Sequence, residues 1–262
     1  MMAKRVVDTQ YRASKQNELD ERLLNHEFCL DAEFDARYQR AKIVSEHYAE
    51  AENAVAVLSN MALNTSYICY GRQGEQLGIG SGIEEVPSIW ENAMLLRLHP
   101  DDAADKLVWE LKFNSFIAHQ PLQERSNYYL QHYMRIRTAC GEYATLRHRI
   151  YYLHYDARGN LLLSLCLYTA AAQESVSGII NSLSDTVVNR SEISMAGLLT
   201  KREIEILEPL SHGLASKQIA EAMNISTCTV NNHRQNIMRK LHCQNTTEAV
   251  MVAKRLGLLN SK

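Results

Sequence analysis

Towards the C-terminal end of this 262-residue chain, the stretch SKQIAEAMNISTCTVNNHRQNIMRKL (residues 216–241) gathers side chains of one chemical kind. Asn231, Asn232 and Gln235 carry amides that both donate and accept, and they fall within about one helical turn. A donor and an acceptor side by side match the N6 and N7 groups that adenine presents in a DNA major groove. Around them stand Lys217, Thr229, His233, Arg234, Arg239 and Lys240, types that meet phosphate oxygens and set register without reading sequence. Bond-making chemistry is harder to find. The chain has no Gly-rich phosphate loop, nucleophile elbow or metal-ligand spacing. Its six cysteines (29, 69, 140, 166, 228, 243) include no C-x-x-C pair. The acidic pair Asp101-Asp102 reads as a helix start. The chain is not expected to be an enzyme, and the sequence names no cofactor.

Four short helices are expected to hold these residues. Thr200-Lys-Arg-Glu203 has the form of a capping box, with Ile206, Leu207 and Leu210 as an inner stripe and Gly213 as a left-handed stop. Pro209 should bend the last turn of this first helix. Ser216 is placed to cap the second helix, whose Ile219, Ala220 and Met223 are apolar. Asn224-Ile225-Ser226 makes the turn, Ser226 caps the third helix, and Val230, Ile237 and Leu241 are its apolar edge. Asn245-Thr-Thr-Glu248 opens a fourth helix carrying Ala249, Val250, Ala253 and Leu256. A second and third helix joined by a tight turn form a helix-turn-helix.

The segments LTKREIEIL, GLASKQIAEAMNIS, TVNNHRQNIMRKL and TTEAVMVA together resemble the LuxR/FixJ-type DNA-binding domain over residues 198–257. The resemblance implies that Asn231, Asn232 and Gln235 read bases, and that the fourth helix, through Val252, offers a dimer surface. Charge agrees: from Thr200 onward there are nine Lys and Arg against five Glu, on a chain whose formal net charge is −2. A basic module on an acidic body suits a nucleic-acid partner.

The preceding residues read differently. Leu30, Phe34, Tyr38, Ala41, Val44, Tyr48, Ala51, Val55, Leu58 and Ala62 recur at steps of three and four, predicting one long helix within 16–62. SYICYG and GEQLGIGSG read as two strands, PSIWENAMLLRLH as a helix, and roughly 102–118 as another, capped by Asp101. Then YYLQHYMRIR, EYATLRHRIYYLHY and LLLSLCLYTA alternate as three strands, turning at Cys140-Gly141 and at Asp156–Asn160. Leu130, His132, Met134 and Ile136 share one face, as do Leu146, His148, Ile150 and His154. HPDD before a helix, in this element order, resembles a PAS sensor domain over about 60–172. That implies a five-stranded antiparallel sheet with helices on one face, serving to bind a small molecule or to dimerise.

The expected fold is α+β: a PAS-like antiparallel sheet with flanking helices (1–172), a linker with one hairpin (173–197), and an all-α four-helix helix-turn-helix domain (198–262). The expected function is a cytoplasmic, sequence-specific, DNA-binding transcriptional regulator acting as a homodimer. Its partners would be double-stranded DNA, a small-molecule ligand and RNA polymerase, with no membrane. A scaffold that DNA merely localises, with no ligand, is the alternative. No run of 18 or more apolar residues is present.

Overall fold

The computed structural model describes all residues except 1, 173–176, 189–198, 242, 244, 256–257 and 260–262. Two compact units emerge, one of Lys15–Val188 and the other of Met1–Ser14 with Asn189–Lys262.

The first unit is built on one antiparallel sheet. Its strands are β1 (Val55–Asn60), β2 (Thr65–Tyr70), β3 (Gly82–Val86), β4 (Tyr128–Arg137), β5 (Tyr143–Tyr155), β6 (Leu161–Ala170), β7 (Gly178–Asn181) and β8 (Thr186–Val187). They lie in the order β3-β2-β1-β6-β5-β4-β7-β8. The sheet therefore extends beyond the five strands expected. β7 and β8 are the hairpin anticipated between 173 and 197, but they join the edge of β4 as part of the sheet. The rest of the expected linker, 173–176 and 189–197, lies outside the described residues.

The helices that precede β4 in the chain are α1 (Met2–Leu23), of which the residues up to Ser14 belong to the other unit, α2 (Phe34–Ala51), α3 (Arg72–Leu77), α4 (Asn92–Leu95) and α5 (Pro100–Ala118). The single long helix is thus corrected to two helices and a strand. Asp31 accepts from the backbone N–H of Glu33 in the gap before α2, and Asn53, at φ 51°, turns the chain out of α2. Asn tolerates this left-handed conformation better than most residues. The following VAVLSN pairs with β2 and β6 and is buried throughout, so its burial lacks the alternation that marks a half-exposed strand. GEQLGIGSG is likewise not a strand: its first residues complete α3, which stops at Gly78 with φ 66°. The helix expected before Pro100 is only the short α4, and α5 is capped by His99, whose Nδ1 accepts from Asp101 N at 3.4 Å.

Helices cover both faces of the sheet, which corrects the one-sided expectation. α2 lies over Ala56, Leu58, Tyr67, Cys69, Leu165 and Leu167. α5 lies over the opposite face, where Phe113 meets Tyr152 with ring centroids 4.7 Å apart. Leu130, His132, Met134 and Ile136 are buried and their neighbours in β4 half-buried or, at Arg137, exposed, as the alternation requires. His154 departs from its expected face. Register shifts on either side of it in the β5–β6 ladder turn it towards Arg37 and Arg40 of α2.

The second unit contains α6 (Lys201–Ser211), α7 (Ser216–Met223), α8 (Thr227–Lys240) and α9 (Thr246–Arg255). Its core is Ile206, Leu207, Ile219, Ala220, Val230, Ile237, Leu241, Ala249, Val252 and Ala253. Pro209 does not end α6, which runs two residues further before Gly213 at φ 83°.

Candidate nucleic-acid interface and sheet cavity

The local sequence fixes the start of α8. At its start, Ser226 Oγ accepts from Thr229 N at 3.0 Å and meets Thr229 Oγ1 at 2.8 Å. The turn before it passes through Asn224, left-handed at φ 56°. Val230, Ile237 and Leu241 are buried, so the opposite arc of the helix must face outward. Asn231, Asn232, Gln235 and Arg239 lie on that arc and are all exposed, which leaves the three amides side by side on one edge.

The six expected phosphate contacts differ in how far the rest of the module engages them. Lys217 and Arg239 are exposed, and Thr229 and His233 are half-buried. Arg234 instead spans the module: Nη1 donates to Ser216 Oγ at 2.6 Å and Nη2 to Thr246 Oγ1 at 2.7 Å. Ser216 therefore serves this clamp, and the N-cap of α7 is Ala215, whose N–H donates to Gln218 Oε1 at 2.8 Å. Lys240 Nζ donates to Glu203 Oε2 at 2.7 Å. That carboxylate is almost wholly buried and also accepts from Thr200 N and Thr200 Oγ1, at 2.7 and 2.9 Å. Burial alone would raise the Glu203 pKa, but the bonds from Lys240 and Thr200 more than offset it and hold the group below its usual value.

In α9, Glu248 N donates to Asn245 Oδ1 at 2.9 Å, as the capping pattern predicts. Val252 is only 6% exposed and belongs to the module's own core, so it cannot itself be an outward contact. The outward apolar residue of this helix is Met251. Leu256, expected on the same helix, lies outside the described residues.

In the first unit, the two inward histidines bond to each other, while His148 Nε2 is buried with no hydrogen-bond partner. His148 Nδ1 and His132 Nε2 are 2.8 Å apart, so one donates to the other, and His148 stacks on Tyr168 at 4.3 Å. Tyr168 OH donates to Glu91 Oε1 at 2.6 Å, and Lys106 Nζ, beside Glu91, donates to Glu110 Oε1 at 2.5 Å. Burial, reinforced by the Lys106 charge, pushes His132 down to about 3, and burial with its neighbours His132 and Lys106 holds His148 well below the usual range. Both rings are therefore neutral near pH 7. Next to this network lies a cavity of about 40 Å³ whose walls include Leu19, Leu23, Ser59, Tyr152, Ser164 and Cys166. That is room for one or a few waters. The alternation of β4 and β5 indicated the histidines. The buried Lys106 and Glu110 gave no such signal, because a Lys and a Glu four apart on a helix usually mark a solvated face.

Residues 197–253 match the family of bacterial regulatory proteins described as the luxR family. The family match is to this C-terminal helix-turn-helix module alone. The transcriptional regulatory protein LnrK of Bacillus subtilis (strain 168) is 45% identical over 60 residues, 23% of this chain and 27% of that regulator. A solved structure of the transcription factor GerE is 38% identical, with a TM-score of 0.24, covering 24% of this chain and 96% of GerE. A structure of the Vibrio cholerae VqmA dimer, a LuxR-type receptor, covers 84% of this chain and 88% of VqmA. Its identity of 13% and TM-score of 0.30 carry no argument about the remainder of the chain. The chain spans from about a quarter to just under half the length of the curated relatives it matches. The LuxR-family match ends short of Arg255, the last residue of α9.

Proposed function

We propose that the chain is a sequence-specific, DNA-binding transcriptional regulator that works in the cytoplasm as a homodimer, with RNA polymerase among its partners. The observation that carries this reading is the exposed amide edge of α8 within a LuxR-family module. Asn231, Asn232 and Gln235 read base edges, while Lys217, Thr229, His233 and Arg239 meet phosphates. Arg234 and Lys240 first position the recognition helix, through Ser216, Thr246 and Glu203. Any phosphate contact they add comes after that duty. The Lys15–Val188 unit is a PAS-like domain that senses a small molecule or joins two chains. The antiparallel sheet and the HPDD sequence at the start of α5 support this part.

The test is duplex-DNA binding by the full chain across a salt series. Four to six phosphate contacts per subunit give a slope of log affinity against log salt of about −0.9 per contact. An affinity that ignores salt, or none at low salt, would sink the proposal. The scaffold reading gains from the size of the cavity, which holds no more than a few waters. Mass spectrometry of the purified protein separates the two: a retained small molecule favours sensing, and its absence favours the scaffold.

A further inference from the structure

A helix lying on a sheet needs one apolar face, and α2 carries large apolar side chains outside that face as well. Phe34, Ala41, Ser45 and Ala49 are buried against the sheet. On the opposite side Ala36, Arg40, Ile43, His47 and Glu50 recur at steps of four and three, and every one of them is exposed. Ile43 is 52% exposed and its neighbour Val44 44%. Tyr48 carries the patch towards Tyr151, which stacks on Tyr129 at 5.1 Å. Ile43, Val44 and Tyr48 are thus large apolar side chains left to solvent among the charges of this stripe, and together they mark an interaction surface.

Charge along the stripe indicates the occupant. Arg40 lies in the N-terminal half and Glu50 in the C-terminal half, and neither side chain has an ion-pair partner among the described residues. We infer that the stripe docks a second copy of the chain, α2 against α2, antiparallel about a two-fold axis that crosses the exposed face midway between Arg40 and Glu50. That arrangement sets Arg40 of each chain opposite the Glu50 of the other and packs Ile43 and Val44 at the centre. A parallel pairing would set Arg40 against Arg40 and Glu50 against Glu50, which like-charge repulsion disfavours. The contact is isologous and closes on itself, so assembly stops at two. The inference rests on the homodimer part of the proposed function, giving it a location and a direction.

Sedimentation of the full chain is the test. The wild type should be a dimer at micromolar concentration, and Val44→Arg, at an exposed position that leaves the fold intact by circular dichroism, should be monomeric. Arg40→Glu and Glu50→Arg should each weaken the dimer about tenfold, since each reverses two symmetry-related pairs. The double variant Arg40→Glu/Glu50→Arg should restore it, because the antiparallel pairing regains both attractions. A monomeric wild type would leave the stripe to some other partner and overturn the inference. So would a Val44→Arg dimer, or a double variant no tighter than the singles. DNA binding measured alongside keeps the two readings apart. A dimer of this kind that binds no DNA sinks the regulator reading alone, and a monomer that binds DNA sinks this inference alone.

Discussion

His132 and His148 meet across β4 and β5 where no water reaches either ring, and the way they pair decides how the first unit responds to acid. In an unfolded chain an imidazole titrates near 6.5, whereas folded His132 titrates at about 3 and His148 well below its ordinary value. Between those limits the unfolded state binds protons that the folded state refuses. The stabilisation is therefore complete above about pH 6.5 and is lost as pH falls, at about 1.4 kcal/mol per pH unit for each ring. Chemical denaturation at pH 7, 6 and 5 should show this slope before the carboxylates begin to titrate. Stability that stayed flat over that window would mean the rings are charged or wet. A second prediction concerns the amides of α8. Asn231→Ala and Gln235→Ala should each relax sequence preference by about 1–3 kcal/mol, read by binding-site selection. An unchanged motif in both variants would place the reading edge elsewhere. Both features were legible, the first from period-two alternation in β4 and β5 and the second from the apolar edge of α8. What spacing could not convey was that His132 and His148 would sit directly opposite, because cross-strand register depends on the whole ladder.

At the scale of elements, α8 is held by side chains that would otherwise pass for DNA contacts. Glu203 ties the first turn of α6 to the last turn of α8, and Arg234 ties α8 to the starts of α7 and α9. Lys240→Met should therefore destabilise the second unit by about 1–3 kcal/mol, since it withdraws a donor from a buried carboxylate. Thermal melting followed by circular dichroism measures this without DNA. A variant that melts like the wild type would return Lys240 to a purely electrostatic role on phosphate. Such duties escape a reading of the sequence because a long cation can reach several places from one position. The capping signals were plainer: Thr200 with Glu203, Ser226 and Asn245 each make the bonds their residue types suggest. β1 was read as helix for a physical reason. A strand buried on both faces needs no polar alternation, and Val55, Leu58 and Ala62 happen to keep a helical step. Asn53, which turns the chain between the two, was the signal that could have divided them.

For the whole molecule, two compact units with separate cores imply two cooperative transitions. Differential scanning calorimetry should resolve them, and lowering the pH from 7 to 5 should move the transition of the Lys15–Val188 unit more, because the buried histidine pair belongs to it. A single transition that shifts as one would show that the units do not melt independently. The sheet of that unit also ends in two different ways. β8 is only two residues long, and β3 is exposed along its length, with Glu84 bonded to Tyr70 and Glu85 to Lys42. An open strand edge invites another chain to add to it, and neighbouring carboxylates discourage that. Replacing Glu84 and Glu85 with valine would remove both guards and leave a β-branched, uncharged rim. The expected result is a protein that folds but aggregates through strand addition, so the two carboxylates help keep it soluble.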